Sequence, residues 1–576
     1  MAISNEQILT GLDDDQLAVV TAIRGPVCVI AGAGTGKTRV ITNRIAYAIN
    51  SGVTDPTKVL ALTFTARAAG EMRARLRTLG VPNVAARTFH SAALKQLLYF
   101  WPYSFGGQFP TLLTSKSGFI SQAIERAEIA IPAQAASLRE IASEIEWAKV
   151  LEISPDAYQD EAVKSNRSIQ LPNNKSKSEN LEIIAKVYEA YESLKRQERT
   201  LDFEDILLLT VGMLEEDRGV RERVRDQYRY FTVDEYQDVS PLQQRLLNLW
   251  LGNREEICVV GDAAQTIYSF AGATSNFLLS FKNRFPEAQI FRLSRGYRST
   301  PEIINTANQI LRSANLVSDH GNELSSANNH GSKPVISGFN TTGEEISYVV
   351  NEVIKHINSG VESSDIAILA RTNSQLDQIK SALNNAKISS QIKSGERFFD
   401  RVDVRDAMRV IRSASVLPPE GGNWYEDLVS VLRPFGDADY VHGFLRLAKE
   451  MQSGSSELDI DLDISTGSLS TGSNSNSNLR ETTMRTFLRE LEDRAEQNNP
   501  PTLPGVTLAT LHSAKGLEWK HLFLIGVADG LLPISNANDL NEERRLFYVG
   551  VTRAKENIQI TYAGKPSAFL SDLVNA

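Results

Sequence analysis

The chain has 576 residues, a formal net charge of −9, and contents of 42% hydrophobic and 23% charged residues. A single domain usually holds about 100–200 residues, so this length predicts several domains, and the composition is typical of a soluble globular protein. No apolar run reaches the ~18 residues of a membrane-spanning helix, and the first residues lack a secretory signal, so the sequence predicts a cytoplasmic protein without membrane contact. The net charge excludes a strongly basic protein, although a locally positive channel for nucleic acid stays compatible with it.

The two cysteines of the chain, Cys28 and Cys258, both lie inside apolar runs. This pattern is typical of small core residues in a protein of a reducing compartment. It argues against a zinc or iron–sulfur site that is held by cysteines.

The first part of the chain has the pattern of an α/β domain. The apolar run VCVIA (27–31) predicts a buried strand, and KVLALTFT (58–65) predicts a second. Residues 91–204 have a helical, aromatic-rich pattern instead, and strand patterns return beyond them. We therefore predict a first α/β domain from residues 1–90 and 205–285, interrupted by a helical insertion.

The rest of the chain repeats this organisation. Strand patterns such as SDIAILAR (364–371) predict a second α/β domain from residues 286–385 and 500–576. A shorter helical insertion is predicted at 386–499, and its Ser- and Gly-rich part, 453–478, has the composition of a linker or surface loop. The predicted fold class is therefore α/β, with two parallel-sheet domains that are each interrupted by a mainly helical insertion.

A glycine-rich segment, AGAGTGKT (31–38), follows the first predicted strand and precedes a predicted helix. Gly34 and Gly36 allow backbone N–H groups to approach phosphate oxygens, Lys37 can reach the β and γ phosphates, and the Thr38 hydroxyl can bind Mg²⁺. Ala31 stands where the strict pattern has glycine. The residues that we predict to line a nucleotide phosphate site are Ala31, Gly32, Ala33, Gly34, Thr35, Gly36, Lys37, Thr38 and Arg39.

An acidic pair ends a later predicted strand, in the segment VDEYQD (233–238). Phosphoryl transfer requires a carboxylate at Mg²⁺ and a group that activates water. Asp234 suits the first role and Glu235 the second. Acidic pairs on protein surfaces are common, so this pair alone is weak evidence for a catalytic site. Together with the phosphate loop that precedes it in the chain, it becomes strong evidence for one.

The remaining motifs follow in a definite order along the chain: LTFTARAAGEM (62–72), RTFHSAAL (87–94), LDFEDIL (201–207), GDAAQTIYSFAGA (261–273), SRGYRSTPEI (294–303), ATLHSAKGLEW (509–519) and EERRLFYVGVTRAKE (542–556). Together with the phosphate loop, they resemble the motifs of superfamily-one DNA helicases of the UvrD/PcrA/Rep type. Within that group the chain resembles the second UvrD-like helicase of actinobacteria. The resemblance implies two RecA-like motor domains that use ATP and Mg²⁺.

The resemblance also implies roles for residues around the nucleotide. Gln16 would bind the adenine edge and Tyr297 would stack near the base. Without the resemblance, Gln16 would be interpreted as a surface residue of a helix. Gln265 would sense the γ phosphate, Arg298 would reach it, and Arg553 would be the arginine finger. The second predicted domain would add Gly516 on the nucleotide side and Glu518 at the ribose.

Contacts to single-stranded DNA are implied at eight positions: Thr63, Phe64, Thr88, His90, Tyr268, Phe270, Thr510 and His512. His90 has a structural role as its alternative, and Phe270 has core packing as its alternative. The segment GDAAQTIYSFAGA departs from the family pattern, because Phe270 replaces tryptophan and Ala271 replaces arginine. We expect coupling between ATP and DNA to survive this change with a weaker hold on DNA.

The function implied is that of an ATP-dependent DNA helicase and translocase that moves 3′ to 5′ in DNA repair or replication, at the nucleoid. Its substrates would be single-stranded DNA and 3′-tailed duplexes, and the sequence identifies no partner protein. The short second insertion leaves open a translocase that displaces proteins from DNA without robust unwinding. A motor part of a helicase–nuclease is disfavoured, because no nuclease-sized region follows the last motif.

Overall fold

The structure is a computed structural model that describes residues 3–113, 115–132, 134–167, 169, 171–173, 176–313, 323–393, 398–415, 424–436, 438–456, 484–496, 501, 505–535, 537 and 539–574. The chain divides into two compact units. The first comprises Met1–Lys333, Ala528–Glu556 and Ser567–Ala576, and the second comprises Pro334–Val527 and Asn557–Pro566. None of the helices in the described ranges has an apolar stretch long enough to cross a membrane.

A six-stranded parallel sheet forms the centre of the first unit, in the order β3-β2-β6-β7-β1-β8. Its strands are β1 (Val27–Ala31), β2 (Val59–Thr63), β3 (Ala85–Thr88), β6 (Tyr230–Val233), β7 (Ile257–Gly261) and β8 (Gln289–Leu293). Strands β1, β2, β6 and β7 are apolar and almost wholly buried, as a parallel sheet covered on both faces requires. Alternate residues of these strands enter two separate apolar clusters, one on each face.

Helices cover both faces of this sheet and build the insertion that interrupts it. They are α1 (Asn5–Leu9), α2 (Asp14–Thr21), α3 (Lys37–Asn50), α4 (Ala66–Thr78), α5 (Phe89–Ser104), α6 (Ser117–Arg126), α7 (Ala135–Val150), α8 (Tyr158–Lys164), α9 (Lys177–Glu198), α10 (Phe203–Glu216), α11 (Arg218–Gln227), α12 (Pro241–Leu251), α13 (Asn276–Leu279), α14 (Phe281–Arg284) and α15 (Pro301–Ser313). Two short strand pairs accompany them, β4 (Thr111–Leu112) with β5 (Thr200–Leu201) and β9 (Arg295–Gly296) with β10 (Ser325–Ser326).

Strand β8 corrects one predicted domain assignment. The sequence placed it in the second α/β domain, which was predicted to begin at residue 286. In the structure it pairs in parallel with β1 over five residues, from Val27 opposite Gln289 to Ala31 opposite Leu293. The cause is long-range pairing: β8 completes the edge of the first sheet, which a local apolar pattern does not reveal.

The helical insertion is joined to α10 by a buried ion cluster of Lys149, Lys195, Glu192, Asp202 and Asp205. Both lysine side chains are at most 2% exposed, and each Nζ lies 2.8 Å from Asp202. Burial acts to raise the pKa of Asp202, but the two ammonium groups outweigh burial, so that its pKa lies far below the usual range. The three carboxylates are close enough to hold a metal ion, but each of them already pairs with both ammonium groups, so this is a structural cluster.

We expect Lys149→Met to destabilise the first unit by about 3–5 kcal/mol, because it leaves buried carboxylates without one of their two cations. Urea unfolding measures the loss. Lys186→Met is the matched control, since Lys186 forms an ion pair with Glu182 in which the two side chains are 59% and 52% exposed. Loss of such an exposed pair changes stability by at most about 1 kcal/mol. Equal losses in the two variants would contradict this account of the cluster.

A second six-stranded parallel sheet, in the order β11-β16-β15-β12-β14-β13, forms the centre of the second unit. Its strands are β11 (Val335–Phe339), β12 (Ile366–Ala370), β13 (Ser390–Ile392), β14 (Val506–Thr510), β15 (Trp519–Leu524) and β16 (Ala554–Ala563), of which β16 begins in the first unit. The remaining helices are α16 (Thr342–Asn358), α17 (Asn373–Asn385), α18 (Val402–Ala414), α19 (Trp424–Leu432), α20 (Asp439–Ser456), α21 (Met484–Glu496), α22 (Leu540–Val551) and α23 (Ala568–Val574). Of these, α22 and α23 belong to the first unit.

Helices α18 to α21 share an apolar cluster of their own, separate from the cluster on the second sheet. The predicted linker at 453–478 begins too early, because residues 453–456 form the last turn of α20. An established helix adds one hydrogen bond for each further residue, so α20 extends past the point where its composition becomes Ser- and Gly-rich. Residues 457–478 lie outside the described residues. The two parallel sheets confirm the predicted α/β fold class.

Candidate nucleotide and DNA-contact site

The phosphate loop joins β1 to α3 and depends on glycine at two positions. Gly34 and Gly36 have φ angles of 74° and 83°, in the left-handed region that other residues rarely adopt. A Cβ at Gly34 would lie 2.8 Å from the Cβ of Arg298, and a Cβ at Gly36 would lie 3.0 Å from Gln16 Nε2. The loop therefore packs directly against two residues that the sequence assigned to the same nucleotide.

Side chains of the loop and of α3 fix this turn. Thr35 Oγ1 donates a hydrogen bond to the Gly32 carbonyl at 2.9 Å, and Lys37 Nζ donates to the Ala31 carbonyl at 3.2 Å. Arg39 donates to a backbone carbonyl at the end of α1. Because the first backbone N–H groups of a helix lack partners within it, the start of α3 can receive a phosphate group.

The acidic pair lies at the end of β6, close to the start of α3. Asp234 is 5% exposed and accepts a hydrogen bond from the Thr38 hydroxyl. Burial and the neighbouring Glu235 raise the pKa of Asp234 to about 7, although Lys37 acts to lower it. Glu235 has a φ of 51°, which is uncommon for a residue with a side chain. The structure thus brings Lys37, Thr38 and both acidic residues together.

Gln16 and Tyr297 meet at Asp13. Gln16 is 1% exposed, which corrects the interpretation as a surface helix residue: its backbone N–H donates to Asp13 Oδ1 at 2.7 Å and its Nε2 donates to the Thr35 carbonyl at 3.0 Å. The Tyr297 hydroxyl donates to Asp13 Oδ2, while its side chain remains 40% exposed. The two residues predicted to bind the adenine are therefore held at one edge of the phosphate loop.

Gln265 and Arg553 form a direct contact. Arg553 Nη2 donates to Gln265 Oε1 at 3.3 Å, and Gln265 Nε2 donates to Asp262 Oδ2 at 2.6 Å. Both residues are buried, at 2% and 3% exposure. Arg298 is close to this pair in space, because its Nη1 donates to the carbonyl of Thr552, the residue before Arg553, at 3.2 Å. A glutamine and two guanidinium groups can together detect charge on a terminal phosphate.

Arg298 and Arg553 lie in the same compact unit as the phosphate loop. The sequence placed Arg298 and Arg553 in the second α/β domain, opposite the phosphate loop. The structure places both in the first compact unit. The cause lies in the packing of α22, which contacts α15 and the turn at 263–265, and thereby places the residues that follow it against the first unit.

Three aromatic side chains form a partly exposed group next to this site, which we call the aromatic patch: Phe64, Tyr268 and Phe270. The Phe64 and Tyr268 rings stack with centroids 5.1 Å apart, and the Tyr268 and Phe270 rings meet edge to face at 6.2 Å. Phe64 is 39% exposed and Phe270 is 47% exposed. Phe270 is thus not a core residue, and the patch offers π-faces on which bases can stack.

The other predicted DNA contacts of the first unit are less accessible. Thr63 is 1% exposed, and the Thr88 hydroxyl caps α5 by accepting the backbone N–H of Ser91. The His90 ring stacks on Phe203 at 4.1 Å, and its Nε2 has no hydrogen-bond partner among the described residues. Burial and Lys116 lower the pKa of His90 to about 3, so the ring is neutral at neutral pH. This geometry favours the structural role that the sequence left open for His90.

The four remaining candidates lie in the second unit. Thr510 ends β14 and accepts the backbone N–H of Ser513 at 3.3 Å. Burial, Arg371 and Lys515 lower the pKa of His512 to about 4. Gly516 has a φ of 81°, and both Gly516 and Glu518 are exposed.

Two buried residues near the nucleotide candidates have no predicted role, although both stand inside quoted motifs. Gln237 is fully buried and lies between Glu235 and Asp262. Tyr548 is 1% exposed, and its hydroxyl accepts the backbone N–H of Ala33 in the phosphate loop. Their position within the motifs VDEYQD and EERRLFYVGVTRAKE was the available signal, but only the three-dimensional contacts reveal what they touch.

Comparisons with known proteins agree along the whole chain. The model of the UvrD/REP helicase N-terminal domain matches residues 12–286, and that of the UvrD-like helicase C-terminal domain matches residues 291–415 and 443–565. The chain is 40% identical over 603 residues to ATP-dependent DNA helicase UvrD2 of Mycobacterium tuberculosis and of Mycobacterium bovis, which covers 100% of this chain and 83% of theirs. It is 28% identical over 651 residues to ATP-dependent DNA helicase PcrA of Staphylococcus epidermidis, which covers 98% of this chain and 87% of that protein. The resemblance read from the motifs is confirmed, and the chain belongs to the UvrD/REP helicase family.

Proposed function

We propose that the protein is an ATP-dependent DNA helicase that moves 3′ to 5′ along single-stranded DNA and acts in DNA repair or replication, in the cytoplasm at the nucleoid. One observation supports this most strongly: a single segment, residues 262–270, contacts Arg553 at one end and forms the partly exposed aromatic patch at the other. ATP chemistry and DNA stacking can therefore act on the same nine-residue span of backbone. The helical segments 91–204 and 386–499 are proposed to be the accessory insertions of the motor.

For ATP, the proposal assigns phosphate binding to the loop at 31–38 and activation of the attacking water to Glu235. Thr38 and Asp234 fit Mg²⁺, because a hydroxyl and a carboxylate oxygen already within hydrogen-bond distance are the oxygen donors that this ion prefers. Bound Mg²⁺ would neutralise negative charge on the β and γ phosphates. Arg298 and Arg553 supply positive charge to the phosphoryl group as it transfers. Gln265 contacts the γ phosphate, so its position, and that of residues 266–270 after it, depends on whether this phosphate is bound.

For DNA, the proposal assigns base stacking to the aromatic patch. Stacking is largely independent of sequence, as a translocating enzyme requires. Hydrolysis and phosphate release would remove the partner of Arg553 and Gln265, and the segment 262–270 would then change the position of the patch. Repeated cycles would convert this change into directed movement along the strand.

The decisive experiment measures ATP hydrolysis with and without single-stranded DNA, together with strand displacement on duplexes that carry a 3′ or a 5′ tail. We expect DNA to stimulate hydrolysis and only the 3′-tailed duplex to be unwound. Hydrolysis that DNA leaves unchanged would overturn the proposal. Stimulated hydrolysis without strand displacement would overturn the unwinding part of the proposal. The protein would then be a translocase that removes proteins from DNA, and the short insertion at 386–499 favours this as the second candidate function.

We expect Phe270→Ala to weaken single-strand binding by about 1–3 kcal/mol, the usual contribution of one aromatic–base stack. The double change Phe270→Trp with Ala271→Arg should tighten binding, because it adds a larger π-face and a cation. Fluorescence anisotropy of a labelled oligonucleotide measures both changes. Tyr103→Ala is the control, since Tyr103 is a 74% exposed aromatic residue outside the patch. An unchanged affinity in the first two variants would remove Phe270 from the DNA-binding surface.

A further inference from the structure

Gln237 lies between the carboxylate of Glu235 and the end of β7. Its Nε2 donates to Glu235 Oε2 at 2.5 Å and to Asp238 Oδ2 at 3.3 Å. Its Oε1 accepts the backbone N–H of Asp262 at 2.9 Å. Both ends of the amide are engaged and the side chain is 0% exposed, so its orientation is fixed by its neighbours.

The end of β7 is shaped to admit this amide. A Cβ at Gly261 would lie 2.6 Å from Gln237 Oε1 and 3.2 Å from the Gln237 backbone nitrogen. A side chain at 261 would therefore displace the glutamine. The close approach shows that the amide is packed into a defined position and does not merely fill space.

The backbone of Glu235 has a disfavoured conformation, so a contact that stabilises its side chain is needed. Its φ of 51° places it in the left-handed region, which costs about 1 kcal/mol or more for a residue with a Cβ. A backbone held in that conformation aims the side chain away from the direction it would take after an ordinary strand end. The hydrogen bond from Gln237 fixes the carboxylate at its far end.

The contacts continue from Gln237 to the arginine. Asp262, whose backbone N–H is bound by Gln237, accepts Gln265 Nε2 on its carboxylate at 2.6 Å. Gln265 Oε1 then accepts Arg553 Nη2 at 3.3 Å. Gln237 is thus the first link of an uninterrupted series of hydrogen bonds that joins Glu235 to Arg553.

We propose that Gln237 is a positioning residue that holds the carboxylate of Glu235 toward the attacking water and links its position to the segment at 262–265. This inference rests on the proposed function, in which Glu235 activates that water. Gln237 is 0% exposed, so it acts through the groups to which it is hydrogen-bonded. Its contribution is made entirely through Glu235 and through the backbone of Asp262.

The test is the steady-state ATPase of the full chain with saturating single-stranded DNA. Gln237→Met keeps the length of the side chain and removes both hydrogen-bonding ends. We expect kcat to fall by about 10–100-fold, the usual effect of removing a group that orients an active-site ligand, while the KM for ATP changes less than about twofold. Gln244→Met is the matched control: Gln244 is a buried glutamine of α12 that binds Tyr236 and Asn248 and does not contact Glu235.

A second variant guards against a folding defect. Gly261→Ala retains the glutamine residue but displaces its amide, so it should produce the same selective fall in kcat. The double variant Glu235→Gln with Gln237→Met should be no slower than Glu235→Gln alone, because Gln237 has nothing left to position. Additive losses, or a kcat in Gln237→Met within twofold of the parent, would overturn the inference. If Glu235→Gln itself retained full turnover, the proposed function of Glu235 would fail first, so the two failures are distinguishable.

Discussion

Lys37→Ala is expected to lower ATP turnover by about 10³-fold, because the loop loses the cation that stabilises charge on the phosphates. The structure places Lys37 at the start of α3, with its ammonium group 3.2 Å from the Ala31 carbonyl and close enough to Asp234 to affect its pKa. Loss of the ammonium group therefore removes charge from the phosphate site and from the buried carboxylate at once. A coupled assay of phosphate release measures the effect.

Two controls make the Lys37 result specific. Lys58→Ala removes a lysine of the same unit that donates to the Asp226 carbonyl at 2.8 Å, away from the loop, and it should leave turnover unchanged. Lys37→Arg keeps the charge but not the compact shape of the ammonium group, and we expect it to remain strongly impaired. Parent-like hydrolysis in Lys37→Ala would show that ATP is hydrolysed at another site.

Arg553→Ala should retain ATP binding and lose hydrolysis by about 10³–10⁵-fold, the range measured for arginine fingers. The guanidinium group is 2% exposed and bonds the Val549 carbonyl as well as Gln265, so its position is fixed before any phosphate arrives. Such preorganisation favours the transition state over the ground state, and the defect should therefore appear in kcat. Fluorescent-nucleotide binding and single-turnover hydrolysis separate the two effects.

Arg544→Ala is the control for this result, since Arg544 lies on α22, the helix that precedes Arg553, and donates to Ser313 at 2.6 Å. It should change neither nucleotide affinity nor kcat. If Arg553→Ala abolished binding and left the single-turnover rate of bound ATP unaltered, Arg553 would be a binding residue and the finger role would be wrong.

Local sequence patterns predicted the positions of strands and helices well, but they did not predict which strands pair with each other. The run VCVIA predicts a strand that the structure has at Val27–Ala31, because five consecutive apolar residues before a glycine-rich loop leave few alternatives. Strand β8 was assigned to the wrong domain, since pairing with β1 depends on residues about 260 positions apart. Long-range packing of this kind leaves no local trace.

The same division applies to the site. Motif order predicted Lys37 and Asp234, and the structure brings them together. It did not predict that Gln237 would join the acidic pair to the next motif, because a glutamine at that position has no distinctive spacing. Whether Phe270 packs inside or faces solvent was also open, and it depended on how the neighbouring turn sits against the helical insertion, where Arg167 donates to the Phe270 carbonyl.

The backbone of Glu235 has a consequence for laboratory evolution of this enzyme. Glycine adopts a φ of 51° without the penalty of about 1 kcal/mol that a Cβ incurs, so the parent residue is conformationally disfavoured at 235. A library selected only for heat resistance would therefore be drawn toward residues that tolerate this conformation and lack the carboxylate. Thermostabilised variants of this protein would have to be selected with turnover as a second criterion, because at this position durability and catalysis favour different residues.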